Sequence, residues 1–220
     1  LDIANAAPLV GTHSVMVLNG AWATLDNGGY AISITGGLET QMHTVSRCSI
    51  SNGVYLETAD GCHIQNCVIT GEDQPGVTID VVEGAFNTTV EDSVIVCRQE
   101  AIRVLRGSQV LIKNNQIEQR PSVNTSVGAA HISIVPAEAG YASQRCTIEG
   151  NNFGGGSNLD TCIYVASGLS GVEDLLLNRN TFNAGSSTYD IRIADTGVRA
   201  TRIEPTNNVR GSRSGVTVAG

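Results

Sequence analysis

The strongest constraint on this chain is that it writes two short patterns over and over at a nearly fixed interval. The first is aliphatic–any–aliphatic. Its members are Ile32/Ile34, Val54/Leu56, Val77/Ile79, Ile102/Val104, Ile132/Ile134, Ile163/Val165, Ile191/Ile193 and Val216/Val218, about 26 residues apart on average. The second falls between successive pairs: an aliphatic residue, a small or amide residue three places on, then Ile or Phe two places after that. It reads Val45…Cys48…Ile50, Ile64…Cys67…Ile69, Val90…Ser93…Ile95, Ile112…Asn115…Ile117, Ile148…Asn151…Phe153 and Leu177…Asn180…Phe182. Ile203 begins a looser seventh copy, with Asn207 and Asn208 ahead of Val209. Glycines such as Gly61, Gly84, Gly107, Gly171 and Gly197 mark corners between the two.

Each repeat therefore reads strand, corner, strand, polar turn, strand, with no room for a helix. Strands this short cannot bury an inner face alone, but stacked coils bury one another's. The fold expected is all-β: a single parallel β-helix of about eight coils, each hydrogen-bonded to the next at roughly 4.8 Å. Like positions then form ladders along the axis, here an Asn/Cys turn ladder. Residues 30–220 are expected to form the solenoid and 1–29 an entry segment or first coil. A β-sandwich or propeller is the alternative; a propeller would need longer antiparallel blades with hairpin signals, and a leucine-rich repeat would need Leu to dominate.

Composition fits this reading. The 220 residues include 25 glycines, only 4% aromatics and 15% charged residues, a lean and turn-rich mixture. A net charge of −8 with one lysine, Lys113, argues against nucleic acid as partner, because phosphate binding needs a clustered cationic face. No apolar run is long enough to span a bilayer, so no membrane insertion is expected. The chain lacks an initiator Met and ends two residues past Val218, which reads as an excised domain or mature fragment.

The two patterns, over roughly residues 30–218, resemble the right-handed, pectate-lyase-like β-helix family, whose inter-strand turn carries a similar asparagine ladder. Family members include pectin-degrading enzymes, alginate epimerases, adhesins and phage tailspikes, so the resemblance implies architecture more than activity. An acidic, nearly lysine-free solenoid with unfinished ends is most like a bacteriophage tailspike domain. That resemblance implies a homotrimer on the virion tail, assembled in the host cytoplasm. Its partner would be a bacterial surface polysaccharide, lipopolysaccharide or capsule, with glycosidase or lyase activity left open. A non-enzymatic shaft or adhesin is the alternative, and a secreted, pectate-lyase-type enzyme the third reading.

Candidate site residues follow from period-2 alternation, which turns the residues between the aliphatic pairs outward. On successive coils that face reads Tyr55 and Glu57, Thr78 and Asp80, Arg103, His131 and Ser133, Tyr164, then Asp190 and Arg192. Glu57 and Asp80 hold the same place in adjacent coils, about 5 Å apart by backbone, where like charge raises one pKa. The expectation assigns Glu57, Asp80 and Arg103 to catalysis, and Tyr55, Thr78, His131, Tyr164 and Arg192 to sugar binding. Ordinary surface solvation is the competing reading for all of them. Asp60 and Glu83 form a second acidic level that serves either turn chemistry or, with Glu57 and Asp80, a weak calcium site; otherwise no cofactor or metal is expected. The segment "CHIQNC" puts Cys62 inward and His63 outward. Cys48 and Cys67 are expected to be stacked, buried free thiols rather than zinc ligands. His13 and His43 have no partner pattern, and Asn87 and Asn124 head formal glycosylation sequons. "GGGSNLD" (154–160) lacks the Lys-Ser/Thr of a phosphate loop.

Overall fold

The computed structural model of the chain describes residues 2–4, 16–23, 29–35, 43–57, 61–71, 74–80, 87–98, 100–107, 109–120, 130–135, 143–155, 161–166, 172–183, 189–193, 201–203, 209–210 and 218–219. Three parallel sheets run the length of the molecule, and the chain visits them in rotation. Sheet A holds Asp2–Ala4, Ile32–Thr35, Val54–Glu57, Val77–Asp80, Ile102–Arg106, Ala130–Ile134, Thr161–Val165, Tyr189–Ile193 and Val218–Ala219. Sheet B has eight strands from Met16–Leu18 to Thr201–Ile203, and sheet C eight from Ala21–Ala23 to Val209–Arg210. The pair Ser143–Gln144 and Val172–Glu173 forms a small fourth sheet. This is the all-β solenoid expected, and no helix occurs among the described residues. None is therefore long and apolar enough to cross a membrane.

The aliphatic pairs are the register of sheet A. Val54, Val77, Ile102, Ile132, Ile163 and Ile191 stack in line behind Ile32. The last coil departs from the sequence alignment: Val218 pairs with Ile191, not with Ile193. Val216 lies outside the described residues.

Inward side chains form continuous columns. Ile64, Val90, Ile112, Ile148 and Leu177 line sheet B. Ile50, Ile69, Ile95, Ile117, Phe153 and Phe182 line sheet C. The two phenylalanines stack with centroids 5.2 Å apart and planes 6° from parallel. Each such buried side chain contributes about 1.5–3 kcal/mol of hydrophobic stabilisation.

The asparagine turn is a two-residue device. The first residue is left-handed: φ is 55° at Arg47 and Asn66, 49° at Asp92, 56° at Asn114, 66° at Gly150 and 54° at Arg179. Asn and Asp tolerate that region better than most residues and glycine best, which accounts for four of the six. The second residue points inward, and its side chain accepts from the backbone N–H of its counterpart one coil earlier. Cys67 N donates to Ser93 Oγ (3.1 Å), Ser93 N to Asn115 Oδ1 (3.1 Å), Asn115 N to Asn151 Oδ1 (3.0 Å), and Asn151 N to Asn180 Oδ1 (3.1 Å). The Cys67 sulfur takes the same role toward the Cys48 backbone. All six cysteines are free and buried, and His63 stays half-exposed outside.

Candidate functional site

Sheet A turns its second face outward, and there the registered residues form one ladder: Ser33, Tyr55, Thr78, Arg103, Ser133, Tyr164 and Arg192. A parallel ladder two residues on contains Thr35, Glu57, Asp80 and Arg106. Glu57 and Asp80 are thus direct neighbours, as their spacing predicts.

Asp80 is not a free acid or base. Its Oδ1 accepts from Arg106 Nε at 2.5 Å and its Oδ2 from the Tyr55 hydroxyl at 3.2 Å. The Asp80 and Arg106 side chains are 12% and 14% exposed, so the pair is poorly screened by water. Arg106 reaches it through a bulge: the register slips between Ile79 and Asp80, and Asp80 meets Arg106 instead of Leu105. Strict alternation would drive Arg106 into the core, and that implausible placement was the signal in the sequence. Burial, then the nearby charges of Asp80 and Glu57, push the Tyr55 phenol up to about 12.

Aromatic side chains cover the face. Tyr30 stacks on Tyr55 with centroids 5.1 Å apart. Its hydroxyl meets Thr78 Oγ1 at 2.7 Å, and burial raises its pKa. Thr78 is consequently only 2% exposed and faces Tyr30 rather than solvent, a correction to its expected role in sugar binding. Ser133 is likewise covered, donating to Glu100 Oε1 at 2.7 Å, while the other oxygen of Glu100 takes the Arg103 guanidinium. At the far end the Arg192 guanidinium lies 5.8 Å from the Tyr164 ring centroid and 6.0 Å from that of Tyr189.

Two residues expected on this face are inside the solenoid. His131 is 0% exposed, tilted against Phe153 with centroids 5.6 Å apart, and Asp190 is also 0% exposed. The alternation resets at the corner where each coil enters sheet A, so the residue just before the aliphatic pair turns in. That position reads Ala31, Gly53, Gly76, Ala101, His131, Cys162 and Asp190, all buried. At Gly53, φ is +80° and an added Cβ would lie 2.3 Å from the Pro75 carbonyl oxygen, so only glycine fits. Neither ring nitrogen of His131 has a hydrogen-bond geometry satisfied among the described residues. Burial lowers its pKa to about 4, against a smaller opposite effect of the Gly154 backbone.

Asp60 and Glu83, the second acidic level, lie outside the described residues, as do His13 and Asn124. Among the described residues no three His, Cys, Asp or Glu side chains are grouped to hold a metal ion. Sequence reasoning missed Tyr30, Glu100, Arg106 and Tyr189. Tyr30, Glu100 and Tyr189 share an offset, two residues ahead of the aliphatic pair, and that offset was the available signal.

The family described as "Right handed beta helix region" matches residues 10–137, more than half of the chain. No curated protein and no solved structure gives a significant match.

Proposed function

Since this chain belongs to the right-handed β-helix family, we propose that its outward sheet A face binds a bacterial surface polysaccharide, as the receptor-binding part of a tailspike-like, homotrimeric appendage on a virion tail. The observation that carries the reading is the Tyr30–Tyr55 stack beside the Asp80–Arg106 pair. Flat aromatic faces suit the apolar side of a sugar ring, and the flanking charges suit its hydroxyls.

The same geometry favours binding over cleavage. A hydrolase needs one carboxylic acid with a raised pKa beside a second carboxylate. Both oxygens of Asp80 are instead occupied, Oδ1 by the Arg106 guanidinium and Oδ2 by the Tyr55 hydroxyl. Asp80 holds Tyr55 and Arg106 in place rather than passing a proton. The test is immobilised lipopolysaccharide and capsule from candidate hosts, probed with wild-type protein and with Tyr55→Ala, alongside a reducing-end assay. Binding that Tyr55→Ala removes, with no reducing ends released, is expected. Failure to bind any such polysaccharide, or release of reducing ends that Asp80→Asn abolishes, would overturn it.

A further inference from the structure

Four of the five tyrosines lie on the sheet A face, and their placement along the axis is symmetric. Arg103 marks the centre. Two coils before it is Tyr55 and two coils after it is Tyr164, both on the Arg103 ladder. Three coils before and after are Tyr30 and Tyr189, at the corner position that Glu100 occupies in the central coil. Each outer tyrosine is joined to its inner partner, Tyr30 by direct stacking and Tyr189 through the Arg192 guanidinium.

Between the two stations the face is low and polar, with Thr78 and Ser133 tied down by Tyr30 and Glu100. The Arg103 side chain stands above it at 36% exposure, while its Glu100 partner is at 14%. In a chain of net charge −8, the described central part of this face sets Arg103, Arg106 and Arg192 among Glu57, Asp80 and Glu100, and at the centre the cation is the outer member.

We infer that this face takes an acidic polysaccharide laid lengthwise along the solenoid, its rings on two tyrosine stations and a carboxylate on Arg103 between them. The inference rests on the polysaccharide-binding reading above and adds the ligand's charge, direction and minimum length. Four coil steps at roughly 4.8 Å separate Tyr55 from Tyr164 by ~19 Å, beyond the reach of a disaccharide. A fragment that spans both stations gains the second contact as an intramolecular event, worth on the order of a hundredfold in affinity.

The test uses size-fractionated fragments of uronic-acid-bearing bacterial capsules, each also after carboxyl reduction, titrated calorimetrically. Affinity is expected to rise on the order of a hundredfold once fragments exceed the spanning length. Either Tyr55→Ala or Tyr164→Ala should return long fragments to the affinity of short ones, and carboxyl reduction and Arg103→Gln should weaken binding without adding to each other. Thermal melts of each variant separate lost folding from lost binding, and Tyr164→Phe, which keeps the ring, should retain affinity. Affinity independent of length, or insensitivity to Tyr164→Ala, overturns the two-station inference and leaves the binding reading standing. Equal affinity for carboxyl-reduced fragments overturns the assignment of Arg103. No binding by any fragment overturns both the inference and the proposed function.

Discussion

Replacing Asn151 with alanine tests how the solenoid is held at its turn. Asn151 Oδ1 accepts from both the backbone N–H and the Nδ2 of Asn115, each at 3.0 Å. Its Nδ2 donates to the carbonyls of Ile112 (3.0 Å) and Glu149 (3.1 Å) and to Asn180 Oδ1 (3.1 Å). Alanine removes all five. The Asn115 amide keeps Val90 O, and Asn180 Oδ1 keeps the Asn151 N–H. The Asn115 backbone N–H, on a residue 1% exposed, loses its acceptor. One orphaned buried donor costs about 1–3 kcal/mol and each of the four other lost bonds about 1 kcal/mol net, so the expected loss is roughly 5–7 kcal/mol. Cys67→Ser is the matched control. It keeps an acceptor for the Cys48 backbone and a donor for the Gln65 carbonyl, replacing a 3.2 Å sulfur contact, and should change stability by less than about 1 kcal/mol. Urea unfolding followed by circular dichroism gives both values, and Asn151→Ser should fall between them. An Asn151→Ala as mild as Cys67→Ser refutes the reasoning, because the ladder would then mark the turn without holding it.

Acid should weaken the fold through His131, and Arg106 should matter more than its surface position suggests. The His131 pKa is lowered from 6.5 to about 4 by burial, so the unfolded chain binds the proton first. Its contribution is complete above pH 6.5, falls as pH drops toward 4 and is flat below. The shift corresponds to roughly 3 kcal/mol. Denaturation midpoints measured across that window should show a slope that His131→Leu removes; equal slopes in both proteins would discard the assignment. Arg106→Gln strands Asp80 beside Glu57, and a loss of about 2 kcal/mol is expected, discounted for partial exposure. The double variant with Asp80→Asn should recover most of it, and simple additivity would mean that the two side chains are not coupled.

The solenoid was legible because its two patterns are enforced in every coil. A residue such as Ile79 or Ile117 that failed to point inward would expose a hole in a column. The turn's division of labour was only half legible. Asn115 and Asn151 announced the inward slot, but the left-handed role of Arg47 and Arg179 carries no signature in the side chain. The outward ladder positions were read correctly where strands are regular, at Tyr55, Glu57, Asp80, Arg103, Tyr164 and Arg192. The reading failed at the edges of strands, where period-2 counting has no authority. His131 and Asp190 turn in because the corner resets the alternation, and Arg106 turns out because a bulge shifts it by one residue. Thr78 shows a third kind of failure: its strand position is as expected, but Tyr30 from two coils earlier covers it.

Hydrogen–deuterium exchange with and without saturating capsule polysaccharide tests the central claim that ligand meets the outward face of sheet A. Added protection is expected in Val54–Glu57, Ile102–Arg106 and Thr161–Val165, with Leu111–Lys113 of sheet B and Gln116–Gln119 of sheet C unchanged. Protection centred on those sheet B and sheet C strands, with sheet A unaffected, would contradict it.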